Sequence, residues 1–129
     1  MAKPQVILLL DSGALIAAGK SENIEAIVRR WRLAGAQFVI AAPSIAESIR
    51  GGPKDAPANR LINAISHVEP TTEHISRNAG ALLGIFQSKK TIDAIIVATA
   101  THCRVTDILT SDPDDMRLLA GDSLNIYSI

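Results

Sequence analysis

The sequence TSDPDD at residues 110–115 places three carboxylates within four residues. The segment before it, residues 104–109, has the pattern of a strand, and the residues after it (MRLLA, 116–120) have the pattern of a short amphipathic helix. Like charges this close repel one another, so the folded protein must stabilise them. Either a helix N-terminus or a bound metal ion can do this.

The composition predicts one folded domain. The chain has 129 residues, of which 47% are hydrophobic, and its formal net charge is zero. Zero net charge argues against a polyelectrolyte-type nucleic-acid binder, so any such contact must come from a local patch. The single cysteine, Cys103, excludes an intrachain disulfide and a zinc site made of cysteines, and it favours the reducing cytoplasm. The apolar run at residues 6–10 is too short to span a membrane.

Apolar runs of strand length alternate with helical patterns along the chain. Such alternation predicts right-handed βαβ units and a parallel sheet between two layers of helices. The predicted fold is therefore a single three-layer α/β/α domain with a central parallel sheet of about five strands. We expect strands at 5–10, 37–42, 67–69, 104–109 and 123–129, helices at 12–19, 23–34, 44–50, 58–66, 71–87, 91–102 and 112–120, and a loop at 51–57.

Each acid of interest has a structural explanation when it is taken alone. Asp11 follows the first strand and can cap the next helix. Glu47 lies three residues after Ser44, which is the spacing of a capping box. Asp93 lies in the first turn of a helix, where the helix dipole favours a carboxylate. Asp112 stands before a proline and can be an N-cap.

Taken together, the same acids indicate a metal site. Ligands of parallel α/β sheets bind at the carboxyl ends of the strands, and the helix N-termini point to that edge. Four acids should therefore converge there, namely Asp11, Glu47, Asp93 and Asp112. Helix dipoles offset only about 0.3–1 kcal/mol per charge, so converging carboxylates should raise one another's pKa or recruit a cation. Oxygen-only ligands point to Mg²⁺ or Mn²⁺.

Four segments in this order resemble the PIN-domain ribonucleases, and most closely the VapC-like toxins of bacterial toxin–antitoxin pairs. They are LLLDSGAL (8–15), PSIAE (43–47), IDAIIVA (92–98) and TSDPDD (110–115), so the resemblance covers nearly the whole chain. It implies a single PIN-like domain over residues 1–129 that cleaves RNA phosphodiester bonds with a metal-activated water, using Mg²⁺ or Mn²⁺. It also implies an antitoxin partner and a homodimer.

The resemblance assigns roles to particular residues. The implied catalytic acids are Asp11, Glu47, Asp93 and Asp112. The implied metal ligands are Asp11, Asp93 and Asp112, with Asp115 as an accessory acid. Ser12 and Ser111 match positions where the family often has a small polar residue. No histidine is required by this chemistry, and none of His67, His74 and His102 is well placed for it.

Contact with RNA requires cations near the acidic edge. Arg50 follows Glu47 by one helical step, while Lys54 and Arg60 lie in or after the predicted loop, and we expect these three cations to line the RNA path. Binding through phosphates would weaken steeply with salt. The pair Lys89 and Lys90 could lower the pKa of Asp93 or contact phosphate, but a solvated turn is the favoured interpretation.

Two features of the sequence leave alternatives open. Asp107 stands inside the predicted fourth strand, so it either faces a polar helix or indicates a wrong register. An apolar set could form a groove for a partner helix, although ordinary core packing is the favoured explanation. That set is Leu15, Ile16, Leu61, Ile62 and Ile65.

Two other functions compete with the nuclease interpretation. A receiver-like signalling domain has a similar length and sheet, but it needs a pair of acids after the first strand, where this sequence offers only Asp11. A PIN-like fold could also be a catalytically idle binding module. The intact set of acids argues against that, because a degenerate version should lose acids first.

Overall fold

Within residues 5–129, five parallel strands form the middle layer of the protein. They are β1 (Ile7–Leu10), β2 (Gln37–Ala41), β3 (Ser66–Glu69), β4 (Asp107–Thr110) and β5 (Asn125–Ser128). Their order across the sheet is β3-β2-β1-β4-β5, and every neighbouring pair is parallel. The computed structural model describes residues 5–129, except for the side chain of Ile65. The predicted parallel sheet of five strands is confirmed.

Over the same described residues, seven α-helices cover the sheet: α1 (Ser12–Ala18), α2 (Glu22–Leu33), α3 (Ala42–Ser48), α4 (Ala56–Arg60), α5 (Glu73–Phe86), α6 (Thr91–His102) and α7 (Pro113–Ala120). A 3-10 turn (Pro53–Asp55) precedes α4, and a π-helical turn (Leu61–Ile65) follows it. Glycines end α1 and α7, at Gly19 and Gly121, as their positions in the sequence predict. No helix in the described part of the chain is long and apolar enough to cross a bilayer.

Each face of the sheet has its own apolar core. Leu9 and Ile108 face α5, α6 and α7, whereas Leu8, Leu10 and Ile40 face α1, α2 and α4. Successive strand residues point to opposite faces, so burial on both faces demands an unbroken apolar run. Burial on both faces is the physical reason for the apolar run that ends at Leu10. The presence of one core on each face of the sheet confirms the three-layer α/β/α architecture.

The predicted fourth strand begins too early. Arg104 has a φ of +56°, in the left-handed region, so the chain is still turning after α6 at that residue. Asp107 is therefore the first residue of β4 and not an interior one, and the predicted start at residue 104 is wrong. Its buried carboxylate accepts hydrogen bonds from Thr106 Oγ1 at 2.6 Å and Asn125 Nδ2 at 3.2 Å, which offset the desolvation of the charge.

The predicted loop at residues 51–57 is partly helical. The buried carboxylate of Asp55 accepts backbone hydrogen bonds from the N–H groups of Arg50, Gly51 and Gly52, the shortest of them 2.7 Å. These bonds fold the segment into the 3-10 turn that leads into α4. This segment, rich in Gly and Pro, forms an ordered turn because the Asp55 carboxylate accepts hydrogen bonds from N–H groups that have no backbone acceptor.

The apolar set proposed as a partner groove mostly belongs to the core. Leu15, Leu61 and Ile62 are buried, and among the described members only Ile16 is exposed, at 40%. The side chain of Ile65 lies outside the described part of the structure. Core packing, the favoured explanation, therefore accounts for three of these residues.

Candidate active site

The carboxyl ends of β1 and β4 are adjacent, and this places two of the predicted acids on one edge of the sheet. Leu10 pairs with Leu109, so Asp11 and Asp112 leave the sheet close to each other. The first turn of α6 brings Asp93 to this edge, and the first turn of α7 brings Asp115. Residues far apart in the sequence therefore converge where ligands of parallel sheets bind.

Three of these acids form a compact group, which we call the acidic trio: Asp93, Asp112 and Asp115. Each offers one carboxylate oxygen, and these oxygens all lie within 4.8 Å of one another. Within residues 5–129, no other set of three or more His, Cys, Asp or Glu side chains satisfies this criterion. Opposite oxygen ligands of one Mg²⁺ are about 4 Å apart, so the trio suits a small hard cation such as Mg²⁺ or Mn²⁺.

Repulsion within the acidic trio changes its proton affinity. Burial, followed by the charges of Asp115 and Asp112, raises the pKa of Asp93 to about 6. A hydrogen bond shared with Asp115 is the largest cause of the raised pKa of Asp112. Lys90 Nζ lies 3.5 Å from Asp115 Oδ2 and opposes both shifts. Lys90 therefore lowers the pKa of Asp93, while both Lys89 and Lys90 remain exposed, as the interpretation of a solvated turn predicts.

Helix capping explains the position of Asp112 only in part. This residue is the N-cap of α7, and the backbone N–H of Asp115 in the first turn lowers its pKa, but its side chain accepts no capping hydrogen bond of normal geometry in the described part of the structure. Its exposed carboxylate lies beside two other acids instead. Of the two ways to stabilise these charges, the arrangement of the trio favours a bound cation.

Asp11 has the capping role that its position predicts. Its side chain is 4% exposed, and Oδ1 accepts a hydrogen bond from Ala14 N at 3.1 Å. The hydroxyl of Thr110 donates to Oδ2 and accepts from Asp112 N at 2.9 Å, so Thr110 links Asp11 to the trio. Burial raises the pKa of Asp11, while these hydrogen bonds oppose the shift. Its charge contributes to the raised pKa of Asp93, and a direct role in metal binding stays a prediction.

Gly13 allows the loop after β4 to approach α1. A Cβ at Gly13 would lie 2.1 Å from Ser111 Oγ, 2.6 Å from Ser111 Cβ and 3.0 Å from Asp11 Oδ1. Any side chain would push Ser111, and Asp112 after it, away from this position. Sequence reasoning missed both Gly13 and Thr110. Ser12, an accessory residue in the resemblance, is the half-buried first residue of α1.

Glu47 lies outside the acidic trio. It is exposed on α3, and the predicted capping box with Ser44 is wrong because α3 begins at Ala42, before Ser44. Pro43 lies in the first turn of that helix, where backbone N–H groups have no acceptor within the helix, so the missing N–H of proline costs no hydrogen bond. The buried Ser44 Oγ has no hydrogen-bond partner among the described residues. A catalytic role for Glu47 stays a prediction.

The three candidate RNA contacts differ in how free their charges are. The Arg50 guanidinium donates to three carbonyl oxygens at the C-terminal end of α3. Arg60 Nη2 lies 3.2 Å from Glu25 Oε1. Within residues 5–129, Lys54 makes no ion pair, and it lines a groove of about 680 Å³ together with Lys20 and Arg50. Lys54 is the best placed of the three to meet a phosphate.

Comparison with known proteins identifies related folds. The PIN domain family model matches residues 8–121. No curated protein sequence matches significantly. VapBC2 from Rickettsia felis, solved with a promoter DNA fragment, has a TM-score of 0.74 at 9% identity, covering 96% of this chain and 99% of that one. A toxin–antitoxin complex from Klebsiella pneumoniae has a TM-score of 0.70 at 23% identity, covering 95% and 99%.

A third similar structure is that of a toxin described by the loop that it cleaves. VapC20 from Mycobacterium tuberculosis, a sarcin–ricin loop cleaving toxin, has a TM-score of 0.66 at 13% identity, covering 84% of this chain and 92% of that one. At these identities the likeness shows a common fold.

Proposed function

This chain belongs to the PIN domain family, and from that premise we propose that it is a metal-dependent endoribonuclease and the toxin of a toxin–antitoxin pair. The observation that carries the proposal is the acidic trio at the carboxyl edge of the sheet. The similarity to VapC structures supports the toxin assignment. The family match leaves the receiver-like interpretation without support.

The acidic trio would hold Mg²⁺ or Mn²⁺, with Asp11 beside it. A divalent ion bound there would supply a nucleophilic water and neutralise charge on the phosphate. Asp93 would bind the ion as a carboxylate, with little release of protons at pH 7, because its pKa of about 6 leaves it largely ionised there. Thr110 and Asp11 would keep the end of β4 aligned with the start of α1, and so fix the position of Asp112.

The substrate would be RNA, and the reaction would take place in the cytoplasm. Lys54 would contact the RNA backbone, and Lys90 would place a second positive charge at the rim of the acidic trio. The roles of Glu47, Arg50 and Arg60 belong to this proposal as well. Glu47 would have to act from the exposed surface of α3, on substrate that reaches beyond the trio.

The protein would act with an antitoxin and as a homodimer. Several similar structures are toxin–antitoxin complexes, which supports an antitoxin partner.

Exposed apolar side chains at the end of α5 support a homodimer, because Ile85 is 72% exposed and Phe86 is 39% exposed. Sedimentation of wild type and Ile85→Asp would test it: a dimer that becomes monomeric supports this face, and an unchanged state argues against it.

The decisive experiment is cleavage of total and transfer RNA by the purified chain with Mg²⁺, with Mn²⁺ and with chelator. We expect metal-dependent cleavage that Asp93→Asn abolishes. Asp114→Asn is the matched control, because Asp114 is an exposed neighbour of the trio that pairs with Arg117 at 3.4 Å. Its activity should be close to that of wild type.

Two outcomes would contradict the proposal. Equal activity in Asp93→Asn would place the chemistry elsewhere. Binding of RNA with no cleavage at any metal concentration would favour the catalytically idle binding module. Circular dichroism of each variant should accompany the assay, so that unfolding is not mistaken for loss of catalysis.

A further inference from the structure

Two of the three histidines, His67 and His102, and the only cysteine of the sequence lie around one carboxylate, that of Glu69. His67 Nε2 lies 2.6 Å from Glu69 Oε2, and His102 Nε2 lies 3.5 Å from Glu69 Oε1. Burial, followed by the Glu69 charge, raises the pKa of the Cys103 thiol to about 11. The ring of His74 has its centroid 6.1 Å from that of His102.

Two elements bring these groups together. His67 and Glu69 are two residues apart on the edge strand β3, so both point to the face of the sheet that α6 covers. The C-terminal end of α6 supplies His102 and Cys103. We call these four residues the Glu69 cluster. They line a cavity of about 900 Å³ together with residues of α2, β1 and β2, so a small ligand can enter from solvent.

The donor types differ from those of the acidic trio. Two imidazoles, one carboxylate and one thiol form a mixed N, O and S set, which prefers zinc or another borderline transition metal to Mg²⁺. The raised pKa of the Cys103 thiol, about 11, argues against a catalytic cysteine, because such a thiol is protonated at neutral pH. An exposed histidine–glutamate pair contributes little stability and does not account for the gathering of all four groups.

We propose that the Glu69 cluster is a second metal site, which binds a borderline divalent transition metal such as Zn²⁺ through His67, Glu69, His102 and Cys103. Metal binding would release the thiol proton to solvent. The donor atoms of the Glu69 cluster do not all lie within 4.8 Å of one another, a criterion that only the acidic trio meets within residues 5–129. The imidazoles of His67 and His102 must therefore turn inward to bind an ion. Both have the freedom to do so, because their side chains are 64% and 44% exposed.

The bound ion would connect the edge strand β3 to α6. Because α6 carries Asp93 at its other end, the second site would stabilise the helix that positions one member of the acidic trio. A metal ion that binds the folded chain but not the unfolded chain raises the free energy of unfolding by mass action. The proposal does not depend on nuclease activity, since the Glu69 cluster uses none of the acids of the trio.

Cobalt(II) is the probe for this site, since its absorption spectrum reports both coordination number and thiolate ligation. The full-length Asp93→Asn variant, with Mg²⁺ in excess, removes competition from the acidic trio. We expect tetrahedral cobalt bands with a thiolate-to-cobalt charge-transfer band. His67→Ala and His102→Ala should each weaken binding by at least about tenfold, and Cys103→Ser should remove the charge-transfer band. His74→Ala is the matched control and should bind as well as the parent.

Thermal unfolding gives an independent reading. Zn²⁺ should raise the unfolding midpoint of Asp93→Asn but not of the same variant carrying His67→Ala, and circular dichroism of both without metal shows whether they fold. The proposal is overturned if the parent gives no charge-transfer band. It is also overturned if His67→Ala and His102→Ala bind cobalt unchanged, or if His74→Ala loses as much affinity as they do.

Discussion

Asp93 lies in the first turn of α6, and its pKa of about 6 results from burial and from the charges of Asp115 and Asp112. The ordinary value for an aspartate is 3.8. At pH values between 3.8 and about 6, the folded state binds more protons at Asp93 than the unfolded state does. The free energy of unfolding therefore falls as the pH rises through this interval. Without metal, the ionised side chain therefore destabilises the fold at neutral pH.

Replacing Asp93 should have opposite effects on stability and on metal binding. We expect Asp93→Asn to raise the free energy of unfolding at pH 7 in chelator by about 1 kcal/mol, once solvent screening is allowed for. The gain should shrink as the pH falls from about 6 to about 4. Urea unfolding across this range is the measurement, with Asp114→Asn as the control. A variant less stable than wild type at pH 7 would mean that repulsion does not dominate at this site.

Gly13 is needed where α1 meets the loop after β4. We expect Gly13→Ala to lower the free energy of unfolding by about 1–3 kcal/mol and to reduce RNA cleavage, because its Cβ would overlap Ser111. Gly80→Ala is the control, since a Cβ there meets no described atom within 4 Å and should raise stability by up to about 1 kcal/mol. Ser111→Gly added to Gly13→Ala should restore stability, and a double variant no better than the single one would contradict this explanation.

At the scale of elements, Asp55 determines the connection between α3 and α4. Its carboxylate accepts hydrogen bonds from three consecutive backbone N–H groups. This segment carries Arg50 and Lys54, two of the candidate RNA contacts, so its order bears on the proposed function. A turn held by one side chain should be sensitive to that side chain alone.

Removing the Asp55 carboxylate should loosen that turn. Asp55→Ala should lower the free energy of unfolding by about 1–3 kcal/mol, because three backbone N–H groups lose their charged acceptor. It should also speed hydrogen exchange at the amides of Gly51 and Gly52. Asp122→Ala, at an exposed position in another turn, is the control and should change neither quantity. Unchanged exchange at both glycines in Asp55→Ala would show that the turn holds without it.

At the scale of the whole molecule, a net charge of zero means that RNA can be attracted only by local patches. For a single strand, the logarithm of the binding constant falls with the logarithm of salt concentration by about 0.7 per phosphate neutralised. We expect Lys54→Ala to reduce this slope by about 0.7 when RNA binding is measured on the Asp93→Asn background. Arg60→Ala should reduce it less, because Glu25 already pairs with that guanidinium. Affinity that does not change with salt would exclude the patch.

The sequence by itself determined the type and order of most elements. Unbroken apolar runs marked strands buried on both faces, and Gly19 and Gly121 marked helix ends, because these signals act between residues close in the chain. The same local signals misplaced the start of β4 and the start of α3. A left-handed residue such as Arg104 leaves no distinct pattern in composition. Pro43 does signal a first helical turn, but the predicted start at residue 44 does not use that signal.

Only the tertiary structure decided which acids meet. Asp93, Asp112 and Asp115 come together because α6 and α7 begin at the same edge of the sheet, while Glu47 remains exposed on α3. His67 and His102, which sequence spacing left without a role, meet at Glu69 because β3 lies beside the end of α6. Spacing along the chain reports neighbours on one element, whereas contacts between elements depend on strand order, register and packing, which no single segment contains.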